Sequence, residues 1–266
     1  MDDPRGFSVV ISMVGLTSFL LASGLLVLGF KHTSHNHFWI RLGHLCFAIG
    51  TMATTLHALG GTSTALFLAA AVAWGTIISW FVWQMELVGA FTAPVISITL
   101  LTSIFFSSPN SKIALSNAVP AMRVHIASAV LGQSFAILAC GMSLLFLWFD
   151  KKLKSRQLSD LPTTFPAFAT LTRALNATLW IGFIFITLSL LSGAMYALSG
   201  LIPPGANILP KVSWAILVWL WYLSILVLKG ILGYRPQKVA RMSLAGFIIL
   251  AISWFGLLFV APWGAA

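Results

Sequence analysis

Carboxylates are almost missing from this chain: its 266 residues hold five, Asp2, Asp3, Glu86, Asp150 and Asp160, all near the ends of apolar runs or in the connections. A proton-coupled transporter usually keeps an acid inside the membrane, so that class is disfavoured. Hydrolytic chemistry is disfavoured as well, because no paired carboxylates, GxSxG or HExxH occur. Cysteine is equally sparse. Cys46 and Cys140 both lie inside apolar runs, and the absence of CxxC and CxxCH excludes a dithiol oxidoreductase and covalent c-type heme attachment. Both thiols read as small packing residues. Charge of either sign makes up only 8% of the chain, against about 25% in ordinary globular domains.

What is present is hydrocarbon. The chain is 59% hydrophobic, with a mean hydropathy of +0.98, more apolar surface than a soluble core can absorb. A helix needs about 20 apolar residues to cross about 30 Å of bilayer. Eight stretches qualify: 8–30, 38–59, 64–83, 87–106, 123–149, 174–198, 212–233 and 239–261. The expected fold is an all-α polytopic membrane bundle of about eight transmembrane helices. The connections are too short to fold separately, so residues 1–266 read as a single transmembrane domain. Asp2 and Asp3 stand where a signal peptide would carry positive charge, and no small-residue cleavage site follows. The first helix is therefore expected to stay in the mature protein.

The net charge of +10 would suit nucleic acid, but the placement of the charges points elsewhere. If 31–41, 84–86, 150–173 and 229–241 share one side, that side collects eleven Lys and Arg and the other four. By the positive-inside rule the basic loops are cytoplasmic, both termini lie outside, and the chain is a multi-pass protein of the plasma (inner) membrane. Its expected partners are the bilayer, including anionic head groups, and not nucleic acid.

The remaining chemistry rests on histidine and aromatic surface. His32, His35 and His37 form a short tract with no Cys or carboxylate beside it, which reads as a solvated loop. His44 and His57 are thirteen residues apart on one helix, about 20 Å along its axis, so they cannot share a small ligand. Trp74, Trp80 and Trp83 suggest an aromatic belt. Segment 157–173 reads as an extended loop or short amphipathic piece, and 199–211 as turns. His125 opens the fifth helix at about the outer depth of His57. Two neutral imidazoles on separate helices can act as axial ligands to iron in non-covalent heme b, with Arg123, Lys112 and Lys211 as propionate partners. The competing reading is that each histidine satisfies a backbone carbonyl or water at a helix end.

Several segments, in order, add to this. They are Leu56-His57-Ala58, Pro94, His125, Phe149-Asp-Lys-Lys-Leu-Lys154, Phe165 to Arg173, Trp180-Ile-Gly-Phe183 and Leu191-Ser-Gly-Ala194. Pro210-Lys211, Trp219-Leu-Trp-Tyr222, Gly233-Tyr-Arg235, Ala245-Gly-Phe247 and Trp254-Phe-Gly256 complete the series. Over about residues 40–260 the chain resembles the cytochrome c assembly protein family, specifically its compact eight-helix branch of HemX-like proteins related to CcsA and CcmC. The resemblance implies a membrane protein that binds or moves heme, with His57 and His125 as iron ligands by motif position. It departs from the heme-delivering members in three places. Loop 199–213 has no Trp, Leu209-Pro-Lys211 stands where Asp-Pro-Lys would be expected, and no His occurs around Val227-Leu-Lys229. HemX-like members are linked with heme synthesis or its regulation.

The expected function is heme handling in cytochrome c maturation or heme homeostasis, alongside other maturation or heme-synthesis proteins, with no mark of an enzyme. Two alternatives stand beside it. One is a heme-free membrane scaffold that assembles a partner complex. The other is a quinol-linked cytochrome b, which normally needs four His ligands, whereas His44 is the one further intramembrane histidine.

Overall fold

Inside hydrocarbon every peptide group must bond within its own segment, so apolar runs of this length become helices. The computed structural model describes residues 4–31, 36–59, 64–106, 119–155, 167–200 and 208–260. Among them are α1 (Pro4–Lys31), α2 (Asn36–Leu59), α3 (Thr64–Trp83), α4 (Val88–Phe106), α5 (Pro120–Lys154), α6 (Phe168–Leu198), α7 (Leu209–Leu232) and α8 (Pro236–Val260), and no strand. Six of these, α1, α2, α3, α5, α6 and α7, are long and apolar enough to cross a membrane, and α4 holds a shorter apolar stretch, Val88–Ile104.

The helices are longer than the apolar runs where the sequence turns polar. At 35 residues, α5 extends about 52 Å, well past the hydrocarbon thickness. Hydrogen bonding continues through the interface even though hydropathy falls there. For the same reason residues 168–173, expected as loop, form the first turns of α6, where Thr172 Oγ1 donates to the Phe168 carbonyl.

Side-chain pairs fix the directions of the helices. Ser12 meets His57 while Gly29 lies against Ile40, so α1 and α2 are antiparallel. Thr76 with Thr92, His125 with Ser189, and Thr178 with Met142 give the same result for α3/α4 and α5/α6. Trp221 with Met242 does so for α7/α8. The bundle therefore has two ends. One carries Arg41, Lys151, Lys152, Lys154, Arg173, Lys229, Arg235, Lys238 and Arg241; Arg123 and Lys211 stand at the other. At the basic end Asp150 accepts hydrogen bonds from Lys154 at 2.6 Å and from Gln237 at 3.0 Å, tying α5 to α8.

Two apolar cores share α5. The first, with Phe19, Phe47, Leu66 and Ile96, joins α1 to α4 and takes Ile137 from α5; the second, with Phe146, Leu171, Leu175 and Tyr222, fills α5 to α8. Within the first, Pro94 removes the N–H that would bond the Ala90 carbonyl. Ser23 Oγ of α1 donates to that carbonyl at 3.2 Å, which repairs the ladder and couples α1 to α4.

Small hydroxyl side chains are interspersed in these apolar cores, and the outer face is apolar as well. The buried polar side chains, among the described residues, are all Ser or Thr. Most bond a carbonyl one turn back on their own helix, as Thr51, Thr54 and Ser97 do. The outer face presents Val10, Phe81, Leu198 and Ile231, each more than half exposed. A continuous apolar exterior of this kind belongs against lipid.

Candidate functional site

His125 sits in the second turn of α5, half-buried against α6. Its Nδ1 lies 2.8 Å from the Ser189 carbonyl and 3.3 Å from Ser189 Oγ. A carbonyl only accepts, so the proton resides on Nδ1 and the lone pair on Nε2. Among the described residues Nε2 has no hydrogen-bond partner.

The ring reaches that carbonyl because Gly193 follows Ser189 by one turn. A Cβ at Gly193 would come within 2.8 Å of His125 Nδ1 and 2.9 Å of its Cε1, distances that require the imidazole to move. Gly193→Ala is expected to swing the ring off the Ser189 carbonyl. The change is readable as an altered His125 imidazole resonance by NMR in a protein whose melting temperature drops by a few degrees at most.

His57, in the last turn of α2, is anchored differently. Its Nδ1 lies 2.6 Å from Ser12 Oγ of α1, and Ser12 is buried. Nε2 again has no hydrogen-bond partner among the described residues. Both histidines stand at the end of the bundle opposite the basic cluster. They ride on separate helix pairs: α2 packs on α1, α3 and α4, and α5 on α3, α4, α6 and α8. Thus α3 and α4 are the neighbours common to the two.

The other expected positions are distributed as follows. Arg123 is exposed at the start of α5. Lying two residues before His125, it points about 200° away around the axis. Lys211 is exposed in the first turn of α7. His44 is at the basic end, its Nε2 3.4 Å from the Glu86 carbonyl and its ring centroid 4.2 Å from that of Trp80. His37 is exposed at the start of α2, while His32, His35 and Lys112 fall outside the described residues. No group of three His, Cys, Asp or Glu side chains able to hold a metal ion occurs among the described residues.

The expected tryptophan belt is split. Nine residues at 1.5 Å each separate Trp74 from Trp83 by about 13 Å, and Trp74 donates to Thr55 at 3.1 Å. Trp80 turns inward onto Phe47 and His44. Cys140 is buried and Cys46 half-buried, both as free thiols.

Sequence reasoning singled out the two histidines but not the groups that hold their rings: Ser12, the Ser189 carbonyl and Gly193. Leu191-Ser-Gly-Ala194 was a visible signal for Gly193, although nothing in its composition names a histidine 68 positions earlier.

A polytopic helical membrane bundle with two histidines on separate helices at its less basic end defines the class. The Cytochrome C assembly protein family matches residues 56–262, and the chain belongs to that family. Among curated relatives, the inner membrane protein YpjD of Escherichia coli K12 is 28% identical over 148 residues, covering 56% of this chain and 55% of that protein. The chain thus spans about half the length of YpjD in that match. The cytochrome c biogenesis protein CcsA of Prochlorococcus marinus MIT 9312 is 28% identical over 222 residues, covering 71% of this chain and 70% of that protein. CcsA of Chlamydomonas reinhardtii is 26% identical over 92% of this chain and 64% of its own length. No solved structure matches the chain.

Proposed function

We propose that this chain is a heme-handling membrane protein of cytochrome c maturation or heme homeostasis, holding heme b non-covalently through Nε2 of His57 and His125. The observation that carries the reading is the hydrogen bond from His125 Nδ1–H to the Ser189 carbonyl at 2.8 Å. It commits the ring to the tautomer that a metal takes and fixes its orientation, the usual arrangement behind a ligating histidine. His57 fits the same assignment when its Nδ1–H donates to Ser12 Oγ, 2.6 Å away. The donor set fits a porphyrin iron, and when bound the group would supply a redox-active or transferable iron porphyrin. The residues of this chain orient the two imidazoles and offer Arg123 and Lys211 as cations at that end.

Family membership and the CcsA relatives support a biogenesis role, and the missing tryptophans of loop 199–213 favour the HemX-like branch. In the proposed orientation the basic end faces the cytoplasm by the positive-inside rule. Both histidines and both termini then lie on the outer side of the plasma membrane. The chain acts as one transmembrane domain, partnered by heme-synthesis or maturation proteins. The quinol-linked cytochrome is disfavoured because it normally needs four His ligands, and His44 is the one histidine within the apolar runs beside His57 and His125.

The test is an absorption spectrum of detergent-purified protein, oxidised and dithionite-reduced, with a pyridine hemochrome assay. A Soret band and sharp reduced bands near one heme per chain are expected. Colourless protein, even after added hemin, would transfer the assignment to the scaffold reading. Ser12→Ala probes the anchor: losing an outer hydrogen bond to a ligating histidine typically weakens metal binding by about 10-fold or more. Hemin titration should show that loss at an unchanged circular dichroism spectrum, and wild-type affinity in Ser12→Ala would remove Ser12 from the site.

A further inference from the structure

Where the two halves of the bundle meet, α5 forms the floor of a cleft, α3 and α4 one wall and α8 the other. The cleft encloses about 210 Å³ and is lined mainly by apolar side chains, among them Leu68, Val95, Ile98, Ile137, Phe247 and Ala251. Ile98 is half exposed on the outer face, as is Ile248 beside Phe247, so the cleft opens sideways toward lipid. Three polar side chains line it: Thr99, Thr102 and Gln133. The threonines already donate to the Val95 and Thr99 carbonyls of their own helix. The Gln133 amide has no hydrogen-bond partner among the described residues.

Gln133 is ten residues into the apolar run that starts at Arg123, about 15 Å along the axis and so near the bilayer midplane. An amide with two donors and an acceptor is costly there unless something meets it. Phospholipids keep their polar groups at the interface and bring only chain ends to the midplane. A molecule that offers a hydrogen-bond acceptor at that depth is neutral and lipid-soluble, and a carbonyl on an apolar body is a strong acceptor of that kind. The volume also favours a single ring, being below the roughly 300–1,000 Å³ of sites for whole drug-sized ligands. Any tail would leave through the lateral mouth.

We propose that this cleft is a binding site for a neutral, lipid-soluble carbonyl compound of the membrane-quinone class, with the Gln133 amide donating to its carbonyl. The site is separate from the histidine end, since His125 is eight residues from Gln133, about 12 Å along α5. It therefore does not depend on the heme reading.

The experiment uses the full chain in phospholipid nanodiscs with a photoreactive azidoquinone, followed by peptide mass spectrometry. Labelling is expected on α4, α5 or α8 peptides around Val95–Thr102, Gln133–Ile137 or Phe247–Ala251, and an unlabelled short-chain quinone should compete it away. Gln133→Leu keeps the volume and removes the amide; one neutral hydrogen bond is about 0.5–1.5 kcal/mol, so competition should weaken by roughly threefold to tenfold. Ala251→Phe, which fills the mouth from α8, should abolish labelling with the helical content retained. Labelling that is scattered, that a hydrocarbon competes equally, or that Gln133→Leu leaves unchanged would identify the cleft as an acyl-chain groove and overturn the proposal.

Discussion

Replacing either His57 or His125 by alanine is expected to strip the protein of heme while leaving the bundle folded. Neither ring belongs to the two apolar cores. Each mutation removes one anchoring hydrogen bond, to Ser12 Oγ or to the Ser189 carbonyl, at about 0.5–1.5 kcal/mol. Against that, if the two rings hold iron as proposed, losing either would remove a metal bond outright, and retained heme should fall to roughly a tenth or less of the wild-type amount. The measurement is heme per chain by pyridine hemochrome, beside circular dichroism and a melting curve on the same preparations. Full heme retention in both variants would refute the two assignments together. Loss in one alone would leave a single protein ligand and move the other histidine to a structural role. His44→Ala serves as the control, since His44 stands at the opposite end of the bundle and its loss should leave the heme content unchanged.

How much of this was readable in advance follows from where the physics acts. The eight apolar runs were legible because hydrocarbon thickness sets a length and water's absence forces helices; α3 occupies its run residue for residue. The ends were less legible. Hydropathy reports lipid, whereas a helix ends where its hydrogen bonds end, as at Gly233, whose φ of +59° caps α7. In the site, His57 and His125 stood out by residue type alone. Their anchors did not. Ser12 is separated from His57 by 45 positions, and a hydroxyl in an apolar run usually bonds its own helix. The partner of His125 is a main-chain carbonyl, a group that every residue carries, so no choice of residue marks it. Gln133 was passed over: one polar residue in an apolar run carries no message until α8 is placed beside it with a gap between.

The second large effect concerns the crossing of α5 and α6, and it should link stability to the histidine site. A Cβ at Gly132 would lie 2.8 Å from Ile186 Cγ1 and 3.1 Å from the Ile186 backbone nitrogen; at Gly182 it would meet Phe135 Cβ at 3.0 Å. The two helices thus approach through reciprocal glycines, the small-residue mode of packing between membrane helices. Gly132→Leu puts a branched side chain against backbone, which a rotamer change cannot relieve, so α6 must move. Overpacking of this kind costs about 1–3 kcal/mol, expected as a clear drop in melting temperature. Gly24→Leu is the matched control, because nothing lies within 4 Å of its Cβ position. The displacement has a direction. Ser189 and Gly193 follow Ile186 on α6 by one and two turns, so moving Ile186 off α5 carries the Ser189 carbonyl away from His125. Gly132→Leu should therefore lose heme affinity as well as stability. Gly29→Leu, which would crowd Ile40 at the other end of the α1/α2 pair, should lose stability alone. Equal heme losses in the two variants would mean that heme retention follows general stability; a loss confined to Gly132→Leu would mean that the α5/α6 crossing sets the position of His125.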